Sequence, residues 1–262
     1  MKARIVQLAA GGALAALATG AAHASVLDVN GMFVNERVFN DFPDSTLTVT
    51  NNFPSEVILD DRDATGTGFA NRHDAVASTD GGSTAATFGL GDGFRISADV
   101  TLDVSDLEPR KEAGLRVNSP VTGDALFIVN SDAGEIVAFG GGAPFHSFGS
   151  LGTGDGYTAG ESLFMEMVYR PGNGDPGTVE YRIDRGAGIE SSGQLNWDNL
   201  EGGPVSYQLA FYVQGSVQDA SMTGTFANIQ IVPEPGTALL LGAAALVGLV
   251  RPHRRGVSPS AL

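Results

Sequence analysis

Apolar and polar residues alternate along much of this chain. Phe94, Ile96, Ala98, Val100 and Leu102 take one side of the pattern, and Arg95, Ser97, Asp99, Thr101 and Asp103 take the other. A period of two sustained over such a length predicts a strand with one face in a core. Val179, Tyr181 and Ile183 repeat it against Glu180, Arg182 and Asp184. Tyr207, Leu209, Phe211 and Val213 repeat it against Ser206, Gln208 and Gln214. Leu163, Met165, Met167 and Tyr169 line one face of a further strand, whose other face carries Phe164 and Val168. Apolar on both sides, that strand is expected to be central or covered twice.

The turns agree with the strands. Arg170-Pro171-Gly172-Asn173-Gly174-Asp175-Pro176-Gly177 joins two of them and is the strongest hairpin signal in the sequence. Ser131-Asp132-Ala133-Gly134 separates Ala125–Asn130 from Glu135–Phe139 and predicts a second hairpin. Glycine contributes 36 of 262 residues, which favours short strands and tight turns over helices. No amphipathic helix of respectable length is expected between Ser25 and Val232. The fold class is therefore all-β: a two-sheet antiparallel sandwich, formed by one domain over residues 25–232. Thr46–Val49 and Glu56–Leu59 are the better strand candidates within Asn35–Asp80. Val26–Val34 is expected to pair near Ala227–Ile231.

The two ends read as addresses. Lys2 and Arg4 precede an Ala/Leu/Gly-rich stretch from Ile5 to Ala22, and Ala22-His23-Ala24 fits a small-x-small cleavage site. Residues 1–24 are thus expected to be a signal peptide handled by the Sec machinery and signal peptidase. Near the other end, Val232-Pro233-Glu234-Pro235-Gly236-Thr237 leads into an unbroken apolar run, Ala238–Val250, followed by Arg251, Arg254 and Arg255. Thirteen helical residues span only about 20 Å, so this transmembrane helix would be short, with snorkelling arginines on the cytoplasmic side. A polar tail, residues 256–262, follows.

Pro233-Glu234-Pro235, the apolar run and the arginines together resemble the PEP-CTERM sorting signal of Gram-negative bacteria, over residues 233–255. The resemblance implies recognition by an exosortase and cleavage near Pro233–Pro235. It also implies transient insertion in the inner membrane, release to the cell surface or exterior, and a link to exopolysaccharide and biofilm. From Phe94 to Ile231 the order of features resembles a concanavalin A-like, or laminin-G-like, jelly roll. That likeness is carried by Phe94–Val100, Glu112–Val117 and Phe226–Ile231, and such folds host glycoside hydrolases, polysaccharide lyases and binding modules.

Charge narrows the partners. Setting aside Lys2, Arg4, Glu234, Arg251, Arg254 and Arg255 leaves 10 bases against 29 acids, a net charge of −19 on the domain. Phosphate contacts need Lys and Arg, so nucleic acid is excluded as a partner. The chain has no cysteine, which excludes disulfides, thiolate nucleophiles and Cys-bound zinc.

Catalytic motifs are sparse. The nearest approach to a glucanase E-x-D-x-E strand is Glu180-Tyr181-Arg182-Ile183-Asp184, where the central arginine would hold both carboxylates ionised, wrong for a general acid. His73 and His146 fall in expected loops with no partner in view, and no G-x-S-x-G elbow occurs. Asp60-Asp61-Arg62-Asp63-Ala64-Thr65-Gly66 contains half of a calcium loop, making Asp61 and Asp63 the calcium candidates, although Arg72 stands where a bidentate Glu belongs. Trp197 and Tyr157 are the candidate sugar-stacking aromatics, in polar, turn-like surroundings. The reading that follows is a non-enzymatic surface or matrix protein that binds polysaccharide. The alternative is a carbohydrate-active enzyme, either a glycoside hydrolase or a polysaccharide lyase, with no catalytic residue assigned.

Overall fold

The computed structural model describes residues 27–40, 42, 44–62, 69–89, 91–119, 123–172, 177–197, 206–216 and 221–234. The signal segment, the apolar run Ala238–Val250, Asp63, Pro235 and the three terminal arginines lie outside the described residues. Among the described residues no helix is long and apolar enough to cross a membrane.

Sixteen strands run through the described residues. They are β1 (Gly31–Asn40), β2 (Thr46–Asn52), β3 (Glu56–Arg62), β4 (Ala70–Ser78), β5 (Phe88–Gly89), β6 (Phe94–Val104), β7 (Lys111–Ser119) and β8 (Gly123–Asn130). There follow β9 (Ile136–Phe139), β10 (His146–Gly149), β11 (Ser162–Arg170), β12 (Thr178–Asp184), β13 (Ile189–Ser191), β14 (Leu195–Asn196), β15 (Ser206–Ser216) and β16 (Met222–Pro233). One sheet, here sheet I, has the order β1-β4-β15-β7-β8-β9-β10, with β5 on β15. Sheet II has the order β13-β12-β11-β6-β16-β3-β2, with β14 on β12. Every ladder is antiparallel. The result is a two-sheet antiparallel sandwich, as the alternation predicts, and jelly-roll-like, as the resemblance implies.

The apolar phase of each strand fills the space between the sheets. Phe94, Ile96, Val100, Tyr181, Ile183, Leu209, Phe211 and Ile229 are all buried in one continuous core. Phe127 stacks against Tyr181 at 5.2 Å and Phe211 against Phe226 at 5.1 Å, so aromatic pairs join the two sheets. The doubly apolar strand β11 lies inside sheet II between β6 and β12, as its composition requires. Asn228, with φ of 53°, makes a bulge in β16, where pairing with β6 slips between Ala227 and Gln230.

Two expectations are corrected. The N-terminal strand β1 does not lie beside Ala227–Ile231. It pairs with β4, Met32 facing Ala77, because β16 is already flanked by β6 and β3. His73 and His146 are not on loops but on β4 and β10. Strand β4, Ala-Asn-Arg-His-Asp-Ala-Val-Ala-Ser, is buried along its whole length despite four consecutive polar residues. Its polar side chains find partners on both faces of the sheet, which is why alternation did not reveal it.

Candidate active site

Sheet I turns Ala75, Leu209, Phe211, Ala113, Leu115, Ala125 and Phe127 into the core. The intervening positions of the same strands therefore face outward, and three ladders set them side by side. Arg72 faces Gln214, which faces Glu112. Asp74 faces Tyr212, and Ala210 faces Arg116. Asn118 lies between Gln208 and Asp124. An outer face rich in polar groups is ordinary, but here Arg72, Asp74, Glu112, Arg116 and Tyr212 are buried. Charged groups hidden at that level need mutual pairing.

Pairing is what the strands supply. Arg116 donates to Asp74 through Nη1 and to Asp124 Oδ1 through Nη2, the second at 2.7 Å. Arg72 Nη1 donates to the other oxygen of Asp124 at 2.6 Å, and its Nε to Gln214 Oε1 at 2.8 Å. The Arg72 guanidinium also lies over the Tyr212 ring, 4.7 Å from its centroid. Tyr212 donates its hydroxyl to Glu112 Oε1 at 3.1 Å, while Arg110 Nε approaches the other Glu112 oxygen at 3.3 Å. Beside this network, Leu126, Ile128, Val137 and Tyr212 form a small apolar cluster of their own.

Burial sets the proton affinities. It pushes the Asp74 carboxyl up to about 6, against the pull of Arg116 and Arg72. Desolvation also raises Glu112, and it holds the Tyr212 phenol well above its ordinary value, so the phenol remains protonated. Asp74 Oδ1 and Arg116 Nε are buried without a hydrogen-bond partner. The face thus holds a carboxyl that titrates near neutrality, a phenol that keeps its proton, and two guanidinium groups. Toward one end of the same sheet, Thr87, Asn118, Ser206, Tyr207 and Gln208 line a groove of about 210 Å³, and none of the buried charged residues is among its lining.

The residues singled out in the sequence fall elsewhere. Trp197 is 2% exposed and Tyr157 also 2%, so neither presents a ring for a sugar to stack on. Trp197 packs edge-on against Tyr169 at 5.6 Å and donates Nε1 to Gly141 O, and the Tyr157 hydroxyl bridges Leu102 N and Glu161 O. Both are core residues whose polar tips are satisfied, which corrects their assignment as platforms. Asp61 points between the sheets, where its Oδ2 lies 3.0 Å from His73 Nε2 and accepts from Asn71 Nδ2 at 2.7 Å. An inward carboxylate held by a histidine and an amide is no arm of an open calcium loop. Among the described residues no group of three or more His, Asp or Glu is placed to hold a metal.

On sheet II, Arg182 binds Glu180, as expected, but its other partner is Glu166 and not Asp184, whose Oδ1 accepts from Gly186 N and Gly188 N; Glu180 also accepts from Arg170. Those hydrogen bonds, Arg182 first, lower the Glu180 carboxyl to about 2. Of the residues expected to form a sorting signal, Pro233 ends β16 and Glu234 follows it.

The sheet I face was missed in the sequence. Its signal was present: outward positions of β7 and β15 carry Glu112, Arg116, Gln208, Tyr212 and Gln214 at the same period of two as the core residues. Only the pairing order, which brings β4 beside β15 and β15 beside β7, makes them one constellation.

No sequence-family model and no curated protein matches this chain. Solved structures do share the sandwich. The alginate lyase from Corynebacterium sp. superposes with a TM-score of 0.45 at 11% identity, covering 75% of this chain and 83% of that one. The alginate lyase from Klebsiella pneumoniae gives 0.45 at 9%, covering 79% and 96%. The marine PL-14 alginate lyase from Aplysia kurodai gives 0.44 at 12%, covering 72% and 87%. These solved sandwiches are enzymes by name, against the expectation of a non-enzymatic surface protein, and at TM-scores below 0.5 they assign this chain no activity. The likeness is one of fold, and no residue role is carried across from it.

Proposed function

We propose that this chain is an exported carbohydrate-active enzyme that cleaves a uronic-acid polysaccharide by β-elimination at the outer face of sheet I. The buried Arg72–Asp74–Arg116–Tyr212 constellation carries the reading. Titratable groups driven far from their ordinary values, in a cluster the sandwich does not need in order to close, mark a functional site. Elimination next to a carboxylate needs cations to offset its charge, a proton acceptor for the sugar C5–H and a donor for the leaving oxygen. Arg72 and Arg116 supply the first. Asp74 and Tyr212 are the groups that take up or release a proton; both are fully buried, so the proposal requires this face to open before a sugar reaches them.

Delivery is proposed to follow from the chain's ends: export through a cleaved signal peptide, insertion by Ala238–Val250, and exosortase processing near Pro233–Pro235. The motif order of residues 233–255 supports this part.

The test is turnover. The purified protein is incubated with neutral and uronate-containing polysaccharides, and unsaturated ends and reducing ends are both measured. Unsaturated ends from a uronate polymer are expected. Reducing ends without unsaturation would turn the reading to hydrolysis, and neither product on any polymer would overturn it. Tyr212→Phe should lower turnover about a hundredfold. Protonation of Asp74 removes an anionic partner from Arg116. Affinity for an anionic substrate should therefore rise as pH falls through about 6, and Asp74→Asn should abolish that dependence.

A further inference from the structure

Glu234, the glutamate of Pro233-Glu234-Pro235, closes a ring of charges on the outer face of sheet II. Arg170 Nε donates to Glu234 Oε1 at 3.1 Å, and Arg170 Nη1 to Glu180 Oε2 at 3.0 Å. Glu180 Oε1 takes Arg182 Nε at 2.7 Å, and Arg182 Nη1 reaches Glu166 Oε2 at 2.8 Å. Glu166 Oε1 lies 3.4 Å from Arg95 Nε, and Arg95 Nη2 lies 3.6 Å from Glu234 Oε2. Three arginines and three glutamates alternate around a closed circuit. Five of the six stand on β6, β11 and β12, inside the sheet; Glu234 alone stands past the end of its strand.

The backbone is held as well. Glu234 N donates to Gly93 O at 3.0 Å, continuing the β16–β6 ladder beyond Pro233. The Glu234 side chain is only 13% exposed. Without it the ring keeps three arginines and two glutamates, and Arg95 and Arg170 each lose one anion.

We propose that Arg95 and Arg170 form a carboxylate-binding site whose resident is the chain's own Glu234, and that this latch withholds the sorting motif from its protease until the ring opens. The inference rests on the proposed exosortase processing. A protease that reads an extended Pro-Glu-Pro segment needs Glu234 off the sheet, so the cleavable state is the unlatched one, and the rate of processing follows its population.

The experiment has two arms on the full chain. In an exosortase-positive host, pulse-chase should show the Arg95→Ala/Arg170→Ala variant processed roughly fivefold faster than wild type, the factor a network ion pair supplies. Arg185→Ala removes an arginine elsewhere, with its 2.9 Å bond to Phe148 O and its 3.7 Å ion pair to Glu190, and should leave processing unchanged. Equal or slower processing of the double variant overturns the latch, and acceleration by Arg185→Ala as well would show that general loosening is responsible. In the second arm, hydrogen exchange at the Glu234 amide of the purified protein should be roughly fivefold faster in the double variant at matched melting temperature. Unchanged exchange overturns the latch without reference to any exosortase. Failure of the wild type to be cleaved at all overturns the sorting reading, and the exchange arm then decides the latch by itself.

Discussion

The outer faces of the two sheets carry the same kinds of residue and use them in opposite ways. On sheet I, Arg116 meets the buried Asp74 and shares the partly exposed Asp124 with Arg72, and at Asp74 burial dominates: its carboxyl rises to about 6. On sheet II, Arg170 and Arg182 meet Glu180 closer to water, and hydrogen bonding dominates: the Glu180 carboxyl falls to about 2. An arginine beside a carboxylate therefore does not by itself fix that carboxylate's charge. Desolvation decides whether the pair stores strain or relieves it. The first network is suited to moving a proton, and the second to holding a surface together.

The largest test of this contrast removes one cation from each face. Arg116→Met leaves Asp74 buried and unpaired and should cost about 3–5 kcal/mol in denaturant unfolding. Arg182→Met leaves Glu180 with Arg170 and Glu166 with Arg95, and should cost about 1–2 kcal/mol. Equal losses would mean that the two faces are energetically alike.

A second test is the pH dependence of stability, where the two faces have opposite signs. The folded pKa of Asp74 lies above its ordinary value of 3.8, so its ionised form weakens the native state. That penalty is removed as pH falls through about 6 and is gone below about 4, with a magnitude of about 2–3 kcal/mol. Glu180 runs the other way: its contribution is full above its ordinary 4.5 and is lost as pH falls through about 2. Urea midpoints across this range should show Asp74→Asn flattening the near-neutral limb and Glu180→Gln the acid limb. The smallest effect is that of salt. Molar salt should weaken the partly exposed ring of sheet II by under about 1 kcal/mol and leave the buried network of sheet I almost untouched.

How far the sequence reached differs along the same line. Strands β6, β11, β12 and β15 were legible because one buried face and one wet face produce strict alternation. Strand β4 was not, since Asn71 and His73 turn inward to Asp61 and Ser45 while Arg72 and Asp74 turn outward to Gln214, Asp124 and Arg116. Polar residues paired on both faces leave no periodic trace. Trp197 and Tyr157 misled for a related reason: short polar neighbours suggested exposure, whereas Gly141 O, Leu102 N and Glu161 O satisfy their tips inside the fold. The site residues were all visible as letters. What the sequence lacked was the neighbour relation of β4, β15 and β7, strands separated by tens to more than a hundred positions.

Strand β16 stands between β6 and β3, in the interior of sheet II, yet it is the last strand of the domain to be synthesised. Until it emerges, β6 has an open edge and β2–β3 has nothing to dock on. On the proposed export route, closure of the sandwich must wait for almost the whole domain to pass the export channel, because this pairing is non-local and its loop entropy is paid late. The residues that complete the sheet are followed at once by those proposed to stop in the membrane. The moment at which the domain becomes able to fold and the moment at which it reaches its anchor are thus nearly the same, and a chain truncated before Met222 should be exported as a protease-sensitive, unfolded polypeptide.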